Sequence, residues 1–239
     1  MIKSQKNIVL LHGWGASVDK LKPLQSELTK LGWDVTNLKL PGFDNPTPQT
    51  AWDLSDYAEY VLRSAKKKYD SFYLFGHSFG GRIVIKIAGD IAPQDKHVSG
   101  IVLCSAGGLS RGNILKRAVF YVLAKCGKPF LLYKPLANVW KKVLYTLARE
   151  HDYEKADTVL REIFKNVVSE DLKNVTRNIR YKTLVLWGED DRMTPLKDGQ
   201  IVARNVKGAT LKIYSGFGHT LPYNNAKELA DTINTWIHH

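Results

Sequence analysis

The sequence predicts a doubly wound α/β fold, because short apolar runs alternate with longer amphipathic stretches along most of the chain. The runs have the length and the β-branched composition of buried strands, whereas the stretches between them repeat apolar residues at helical spacing. Strands that are separated by helices pair in parallel through right-handed crossovers. A length of 239 residues fits a single domain of this class.

The first half of the chain contains four predicted strands. They are Ile8–Leu11, Asp34–Leu38, Phe72–Phe75 and Val98–Cys104. Pro41 and Gly42 close the second strand, and the third runs directly into Gly76. The helices expected between the strands cover about Val18–Leu31, Leu54–Lys68 and Gly80–Gly89. Leucines at positions 21, 24, 28 and 31 lie on one stripe of the first helix, which is the pattern of a core-facing surface.

The alternation stops at residues 106–108 and resumes near the end of the chain. The later strands are predicted at Thr183–Trp187 and Thr210–Tyr214, and the later helices at about Leu196–Asn205 and Ala226–Ile237. The intervening stretch of roughly 75 residues has helical patterning only. We therefore predict a core domain formed by residues 1–107 and 179–239, with residues 108–178 inserted as a helical lid over the strand ends.

The composition narrows the class of protein. The chain is 44% hydrophobic, 10% aromatic and 24% charged, which is typical of a folded globular protein and excludes a disordered one. The apolar run Ile8–Leu11 is too short for a signal-peptide core or a bilayer span. Cys104 and Cys126 provide no disulfide framework and have no zinc-ligand spacing around them. We expect a cytoplasmic protein, either free or peripheral at a membrane.

Positive charge is concentrated in one segment. The formal net charge is +12, from 35 Lys and Arg against 23 Asp and Glu. Residues 108–149 contain nine Lys or Arg and no Asp or Glu, so this segment supplies +9 of the excess. Such a segment has three possible interpretations. Its lysines could simply face water, it could adsorb to an anionic membrane, or it could capture an acidic substrate or acyl-carrier protein. No nucleic-acid-binding motif accompanies the charge, so nucleic acid is not an expected partner.

A Gly-x-Ser-x-Gly motif lies where the third strand meets its helix, as Gly76-His77-Ser78-Phe79-Gly80. Glycines on both sides permit the sharp turn that projects a serine hydroxyl beyond the carboxyl edge of a sheet. Ser78 is therefore the candidate nucleophile. An ordinary glycine-rich turn is the alternative interpretation.

A serine hydroxyl needs a base to take its proton, and the base needs a carboxylate to orient it. His219 lies in a loop directly after the last strand, and it is the candidate base. The loop after Thr183–Trp187 offers three carboxylates, at Glu189, Asp190 and Asp191.

Asp191, which lies three residues after Gly188 and four before Pro195, is the preferred candidate among these. Asp190 is the second choice. An acidic loop that only caps the following helix is the alternative for all three.

An oxyanion that develops when serine attacks a carbonyl needs preorganised hydrogen-bond donors. The segment His12-Gly13-Trp14-Gly15 ends the first strand and is placed to direct the Trp14 N–H at the same point as the N–H of Phe79. We predict these two groups as the oxyanion hole. His12 is expected to be structural, holding its loop by hydrogen bonds.

Taken in order, these segments resemble the α/β-hydrolase superfamily of serine hydrolases. The motifs that carry the resemblance are His12-Gly-Trp-Gly15, Leu40-Pro-Gly-Phe43, Gly76–Gly81, Gly188–Pro195 and Gly216–His219. The resemblance implies Ser78 as nucleophile, Asp191 as acid, His219 as base, and a lid over the pocket. Haloalkane dehalogenases and epoxide hydrolases of this fold carry Asp at the nucleophile position, so Ser78 argues against both of these activities. The first two motifs also look somewhat like those of pimeloyl-carrier methyl ester esterases.

Two segments depart from the superfamily pattern. Members usually begin with an antiparallel strand hairpin, for which the residues before Ile8 leave no room, so we expect a sheet of six strands, mostly or wholly parallel. The segment Phe43-Asp-Asn-Pro46 also replaces the usual Gly-x-Ser continuation, which leaves the conformation of that loop open.

The predicted function is cleavage of carboxylic esters, or of related acyl bonds, through an acyl-enzyme. The expected substrate is a small ester with an apolar acyl part, and neither a cofactor nor a metal is expected. An acyltransferase or a C–C bond hydrolase would use the same residues. A non-catalytic ligand-binding protein is the alternative from a different class, since this fold has been reused in that way.

Overall fold

A computed structural model describes residues 6–109 and 150–238 of the protein. Its sheet has six strands: β1 Lys6–Leu11, β2 Trp33–Asn37, β3 Phe72–His77, β4 Val98–Cys104, β5 Thr183–Gly188 and β6 Thr210–Tyr214. The spatial order is β2-β1-β3-β4-β5-β6, and every neighbouring pair is parallel. The predicted doubly wound, six-stranded parallel sheet is confirmed. Its carboxyl ends lie along one edge, where ligands bind in open α/β sheets.

Helices cover both faces of this sheet. In the described ranges they are α1 Lys22–Lys30, α2 Leu54–Lys68, α3 Phe79–Lys86, α4 Glu150–Ser169, α5 Leu196–Asn205, α6 Leu221–Asn224 and α7 Ala226–Trp236. Buried side chains of α1 and α7 form one apolar cluster with one face of the strands. Those of α2, α3 and α5 form a second cluster with the other face. The buried strands β1, β3 and β5 are apolar on both sides for this reason.

Two of the predicted helices differ in detail from the observed ones. The stretch predicted as Val18–Leu31 is a short 3₁₀ turn, Val18–Leu21, followed by α1, which carries a proline in its first turn. Proline has no N–H to donate and is tolerated there, so it marks the start of the α-helix. The helix predicted as Gly80–Gly89 ends at Lys86 and continues as a π-turn, Ile87–Ile91. A Cβ at Gly89 would lie 2.4 Å from the carbonyl oxygen of Val175, so this turn packs directly on neighbouring backbone.

Helix α4 belongs to the stretch predicted as a helical insertion, and it lies against the core. Its Ile163 and Val167 are buried in the same apolar cluster as α2 and α3. The Arg82 guanidinium of α3 donates to the carbonyl oxygens of Val167 and Glu170, and Lys86 Nζ lies 2.8 Å from Glu170 Oε1. These contacts join the end of α4 to the helix that follows Ser78.

The remainder of the predicted insertion lies mostly outside the described residues. This applies to residues 110–149, and therefore to nearly all of the basic segment. Across 6–109 and 150–238, no helix has both the length and the apolar character that a bilayer crossing requires.

Candidate active site

Ser78 occupies a strained turn between β3 and α3. Its backbone has φ 54° and ψ −108°, in the positive-φ region that residues with a Cβ rarely adopt. A Cβ at Gly76 would lie 2.4 Å from the carbonyl oxygen of Gly80, and a Cβ at Gly80 would lie 2.3 Å from that of Leu11. The two glycines of the motif are therefore required by the closeness of neighbouring backbone. Strain of this kind costs on the order of 1–3 kcal/mol and is found mainly at functional sites.

The three side chains predicted as nucleophile, base and acid lie in hydrogen-bonded series. Ser78 Oγ is 3.1 Å from His219 Nε2, and His219 Nδ1 is 2.9 Å from Asp191 Oδ2. They come from the ends of β3, β6 and β5 in turn, which parallel pairing brings to one edge of the sheet. An imidazole held in this way by a carboxylate has its Nε2 free to accept the serine proton.

Asp191 is buried, and all of its acceptor positions are used. Its Oδ1 accepts from the backbone N–H groups of Met193 and Thr194, at 2.9 and 2.8 Å. Its Oδ2 accepts from the Thr194 hydroxyl at 2.8 Å and faces His219 Nδ1. Burial acts to raise the pKa of Asp191, but these hydrogen bonds from His219 and Thr194 outweigh it and hold the pKa below its usual value. Asp191 is therefore ionised at neutral pH.

The two other carboxylates of this loop are placed differently. Glu189 and Asp190 are exposed, whereas Asp191 is 5% exposed. The backbone N–H of Asp190 donates to the carbonyl oxygen of Phe217 at 2.9 Å, which joins the acid loop to the loop that carries His219. A Cβ at Gly188 would lie 2.3 Å from the same carbonyl oxygen, so the close approach of the two loops requires a glycine there.

His77, the residue before Ser78, is buried and its ring packs against that of His219. Its ring centroid is 4.9 Å from that of His219, and its Nδ1 lies 3.2 Å from the carbonyl oxygen of Cys104, to which it donates. Burial, together with the nearby imidazole of His219, lowers the pKa of His77 to about 3. His77 is therefore neutral over the whole range in which the protein is expected to work.

His12 holds the loop after β1, in agreement with the prediction that it is structural. Its Nδ1 lies 2.8 Å from the carbonyl oxygen of Gly13, and burial lowers its pKa. Its Nε2 lies 3.0 Å from Asp44 Oδ2, although this close approach is not aligned as a hydrogen bond. Asp44 Oδ2 also accepts from the backbone N–H of Val18 at 3.1 Å.

The loop that departs from the superfamily pattern is ordered around Leu40. The carbonyl oxygen of Leu40 accepts from the backbone N–H groups of Phe43, Asp44 and Asn45, and Gly42 has φ 85°. Asp44, the residue that replaces the usual glycine, joins this loop to the segment after β1 by accepting the hydrogen bond from the Val18 N–H.

The two residues predicted to form an oxyanion hole lie next to residues that contact or adjoin Ser78: Trp14 follows Gly13, and Phe79 follows Ser78 itself. A Cβ at Gly13 would lie 3.3 Å from Ser78 Cβ, so the residue before Trp14 is in contact with the serine. The backbone N–H of Gly80 donates to the carbonyl oxygen of His12 at 3.1 Å and fixes the two segments together. Phe79 begins α3, where a backbone N–H has no acceptor within the helix.

An aromatic cluster extends from Phe79, the residue after Ser78, to α4. The Trp14 ring lies edge-on to Phe43, Phe79 and Phe164, with centroids 4.9, 5.2 and 5.0 Å away. Trp14, Phe43 and Phe164 are only partly buried, whereas Phe79 is buried. Aromatic rings in this arrangement present a large apolar surface beside a polar nucleophile. Within residues 6–109 and 150–238 there is no group of three or more His, Cys, Asp or Glu side chains placed to hold a metal ion.

Sequence reasoning did not identify two residues of this site. Thr194 contacts both Asp191 and His219, and its only signal was its place before Pro195 in the acid loop. Phe164 reaches the aromatic cluster from α4, and nothing in its local sequence indicates that it approaches Trp14. Both contacts depend on tertiary packing between distant segments.

The six-stranded parallel sheet with helices on both faces is the fold of the α/β-hydrolases. A family model described as "Serine aminopeptidase, S33" matches residues 2–225, and the chain belongs to this hydrolase family.

Individual relatives and solved structures are similar over nearly the whole chain. An AB hydrolase superfamily protein of Bacillus subtilis is 24% identical over 250 residues, covering 95% of this chain and 89% of that protein. A pimeloyl-[acyl-carrier protein] methyl ester esterase of Neisseria meningitidis is 22% identical over 245 residues, covering 94% of this chain and 91% of the esterase. The solved structure of an esterase from Exiguobacterium antarcticum superposes with a TM-score of 0.76 at 20% identity, covering 100% of this chain and 94% of that chain.

Proposed function

We propose that this protein is a serine hydrolase that cleaves carboxylic esters through an acyl-enzyme. Ser78 Oγ attacks the ester carbonyl while His219 Nε2 takes its proton, and His219 then returns that proton to the leaving alcohol oxygen. Water attacks the resulting acyl-enzyme by the same exchange and releases the acid. Asp191 keeps His219 in the tautomer that carries hydrogen on Nδ1 and stabilises the imidazolium.

One observation carries the proposal: a serine in a strained turn is hydrogen-bonded to an imidazole whose other nitrogen contacts a buried carboxylate. The two distances are 3.1 and 2.9 Å. A solvated loop histidine or a helix-capping acid would explain each residue alone, but neither explains three side chains from three strand ends meeting in series. The buried, fully hydrogen-bonded state of Asp191 supports it as the acid in preference to the exposed Asp190.

The proposed oxyanion hole consists of the backbone N–H groups of Trp14 and Phe79. Contact between Gly13 and Ser78 and the position of Phe79 at the start of α3 support it. A helix N-terminus carries partial positive charge, which favours a developing oxyanion.

The aromatic cluster supports a substrate with an apolar acyl part. Trp14 and Phe164 are partly exposed, and Trp14 contacts Phe79, the residue after the proposed nucleophile. An acyl chain laid against them would bury apolar surface worth about 0.8 kcal/mol per CH₂. Specificity for chain length should therefore depend on α4.

We propose a core formed by residues 1–107 and 179–239 and a cap formed by residues 108–178, whose helix α4 contributes Phe164 to the aromatic cluster. The basic segment belongs to that cap. Similarity to an esterase that acts on an acyl-carrier protein favours an acidic carrier as its partner, and an anionic membrane is the alternative. Co-sedimentation with anionic vesicles at low and high salt, beside binding of an acyl-carrier protein, distinguishes the two.

The test is turnover of a p-nitrophenyl ester panel, from acetate to laurate, by wild type and Ser78→Ala. Loss of at least about 10³-fold in kcat is expected for Ser78→Ala. Ser26→Ala, which changes an exposed serine on α1, is the matched control and should retain wild-type rates. Undiminished turnover by Ser78→Ala would overturn the proposal.

The same assay separates the alternatives. Because the family description names an aminopeptidase, the panel should include aminoacyl p-nitroanilides, and preferential cleavage of those would replace ester by amide as the bond cleaved. Faster product formation on adding an acceptor alcohol would indicate an acyltransferase. Absence of turnover for every substrate, with an unreactive Ser78, would favour a ligand-binding protein.

A further inference from the structure

The hydroxyl of Thr194 lies between the acid and the base. Its Oγ1 is 2.8 Å from Asp191 Oδ2, 3.2 Å from His219 Nδ1 and 3.2 Å from the carbonyl oxygen of Ser105. Thr194 is 4% exposed, so water does not compete for these positions. A single buried hydroxyl therefore reaches both members of the proposed acid–base pair.

The direction of these hydrogen bonds follows from the number of hydrogens. A hydroxyl donates once, and of the two acceptors within reach the carboxylate is both nearer and charged, so the Thr194 hydrogen goes to Asp191 Oδ2. His219 carries its own hydrogen on Nδ1 when Nε2 accepts from Ser78, and it donates to the same oxygen at 2.9 Å. Asp191 Oδ2 thus shares its negative charge between two donors.

The backbone around Thr194 gives this hydroxyl a fixed direction. The Trp187 indole Nε1 donates to the carbonyl oxygen of Thr194 at 2.8 Å, and the Thr194 N–H donates to Asp191 Oδ1 at 2.8 Å. The Thr194 N–H therefore binds Oδ1 of Asp191, and the Thr194 hydroxyl binds Oδ2. Together they fix the orientation of the carboxylate plane relative to the His219 imidazole.

We propose that Thr194 is a positioning residue for the His219–Asp191 pair. Its hydroxyl fixes the carboxylate plane and withdraws charge from Oδ2, and this limits the attraction of Asp191 for a protonated imidazole. The Nδ1–H of His219 is thereby kept on Asp191 Oδ2, which leaves Nε2 to accept the Ser78 proton. The role as part of a catalytic site rests on the function proposed above, but the effect on His219 protonation does not.

Within residues 6–109 and 150–238, three other titratable side chains lie near the pair. His77 faces it from β3, Cys104 from β4 and Tyr223 from α6, whose ring is 5.0 Å from that of His77. Burial lowers the pKa of His77 to about 3 and raises that of the Cys104 thiol, so both are neutral near neutral pH. A shift in His219 protonation between variants of Thr194 is therefore attributable to Asp191.

The test compares wild type with Thr194→Val, which keeps the shape and removes the hydroxyl, and with Thr194→Ser, which keeps the hydroxyl. Two quantities are measured: the pH dependence of kcat/KM on p-nitrophenyl butyrate, and the NMR titration of the His219 ring, assigned by its loss in His219→Gln. Thr176→Val is the matched control, since that threonine is also buried and donates to a carbonyl oxygen, of Lys173, at 2.7 Å. If Thr194→Val does not fold, Thr194→Ala against Thr194→Ser provides the same comparison.

For Thr194→Val we expect about a tenfold loss of kcat/KM at neutral pH and a shift of roughly half a pH unit upward in both the acid limb and the His219 titration. Thr194→Ser and Thr176→Val should follow wild type in both. An unshifted His219 titration in Thr194→Val, or equal losses in the Val and Ser variants, would overturn the inference. If the titration shifts as expected while Ser78→Ala remains fully active, Thr194 still positions the pair and the proposed catalytic function is the part that fails.

Discussion

The buried imidazole of His77 should make the stability of this protein depend on pH, and His77→Asn should remove that dependence. Asparagine places an N–H₂ group near the position of the imidazole Nδ1, so the hydrogen bond to the carbonyl oxygen of Cys104 is retained. The variant cannot take up a proton at this position in either the folded or the unfolded state. It therefore isolates the cost of keeping a neutral histidine beneath His219.

The magnitude follows from the two pKa values of His77. Burial lowers its pKa to about 3 in the folded state, against an ordinary value of 6.5 in the unfolded chain. Between these values the unfolded state binds a proton that the folded state does not, so stability is fully present above pH 6.5 and falls as the pH is lowered. The slope is about 1.4 kcal/mol per pH unit, which amounts to about 2 kcal/mol between pH 7.5 and 5.0.

The assay is urea unfolding followed by circular dichroism at pH 7.5, 6.0 and 5.0. Wild type should lose about 2 kcal/mol more than His77→Asn over this range, with similar m-values. His97→Asn is the matched control, because His97 Nδ1 also faces a main-chain carbonyl, that of Asp70, but at a partly exposed position. Parallel loss of stability in wild type and His77→Asn would refute the reasoning.

Three further variants test the acid, the acyl contact and the turn. Asp191→Asn should lower kcat by about 10³- to 10⁴-fold, because the imidazole loses its orientation and its counter-charge, whereas Asp190→Asn should change it less than about twofold. Phe164→Ala should raise KM for octanoate esters about tenfold and leave acetate esters unchanged, because apolar contact with a long acyl chain is lost. Gly80→Ala should lower the free energy of unfolding by about 3 kcal/mol in a urea titration, since its Cβ would lie 2.3 Å from the Leu11 carbonyl oxygen.

Each of these three predictions has an outcome that would contradict it. Equal rate losses in the two aspartate variants would place the acid elsewhere in the loop. Phe164→Leu is the control, because it keeps an apolar side chain and should keep most of the octanoate preference. A uniform loss across all esters in Phe164→Ala would instead indicate that the substitution had displaced α4. Gly107→Ala is the matched control for the turn, because the nearest atom to its Cβ would be a side-chain carbon of Arg82 at 3.6 Å, and it should be nearly neutral.

The sheet and the main residues of the site were predictable from local patterns. Buried parallel strands are apolar on both faces, so runs such as β1 and β5 stand out in the sequence. The carboxyl ends of parallel strands share one edge, and this alone brings Ser78, Asp191 and His219 together once the strands are identified. The glycines around Ser78 are likewise visible, because their absence of a Cβ is a local property.

Contacts between distant segments were not predictable in the same way. The choice of a π-turn after α3 depends on Val175, which lies against Gly89 from far along the chain. In the sequence, Thr194 is an ordinary loop residue. Its contacts with Ser105 and His219 arise only because β4 and β6 bring those residues beside it. The position of Phe164 depends on how α4 packs on the core, for which helical periodicity indicates a face but not a partner.

The most direct test of the central claim is to locate the residue that a fluorophosphonate probe modifies. Trypsin should release residues 69–82 as one peptide, which contains both Ser71 and Ser78, and fragmentation in a mass spectrometer distinguishes them. The account predicts rapid labelling on Ser78 alone, absent from Ser78→Ala and strongly slowed in His219→Gln. Labelling on another residue, or equal labelling of wild type and Ser78→Ala, would contradict it.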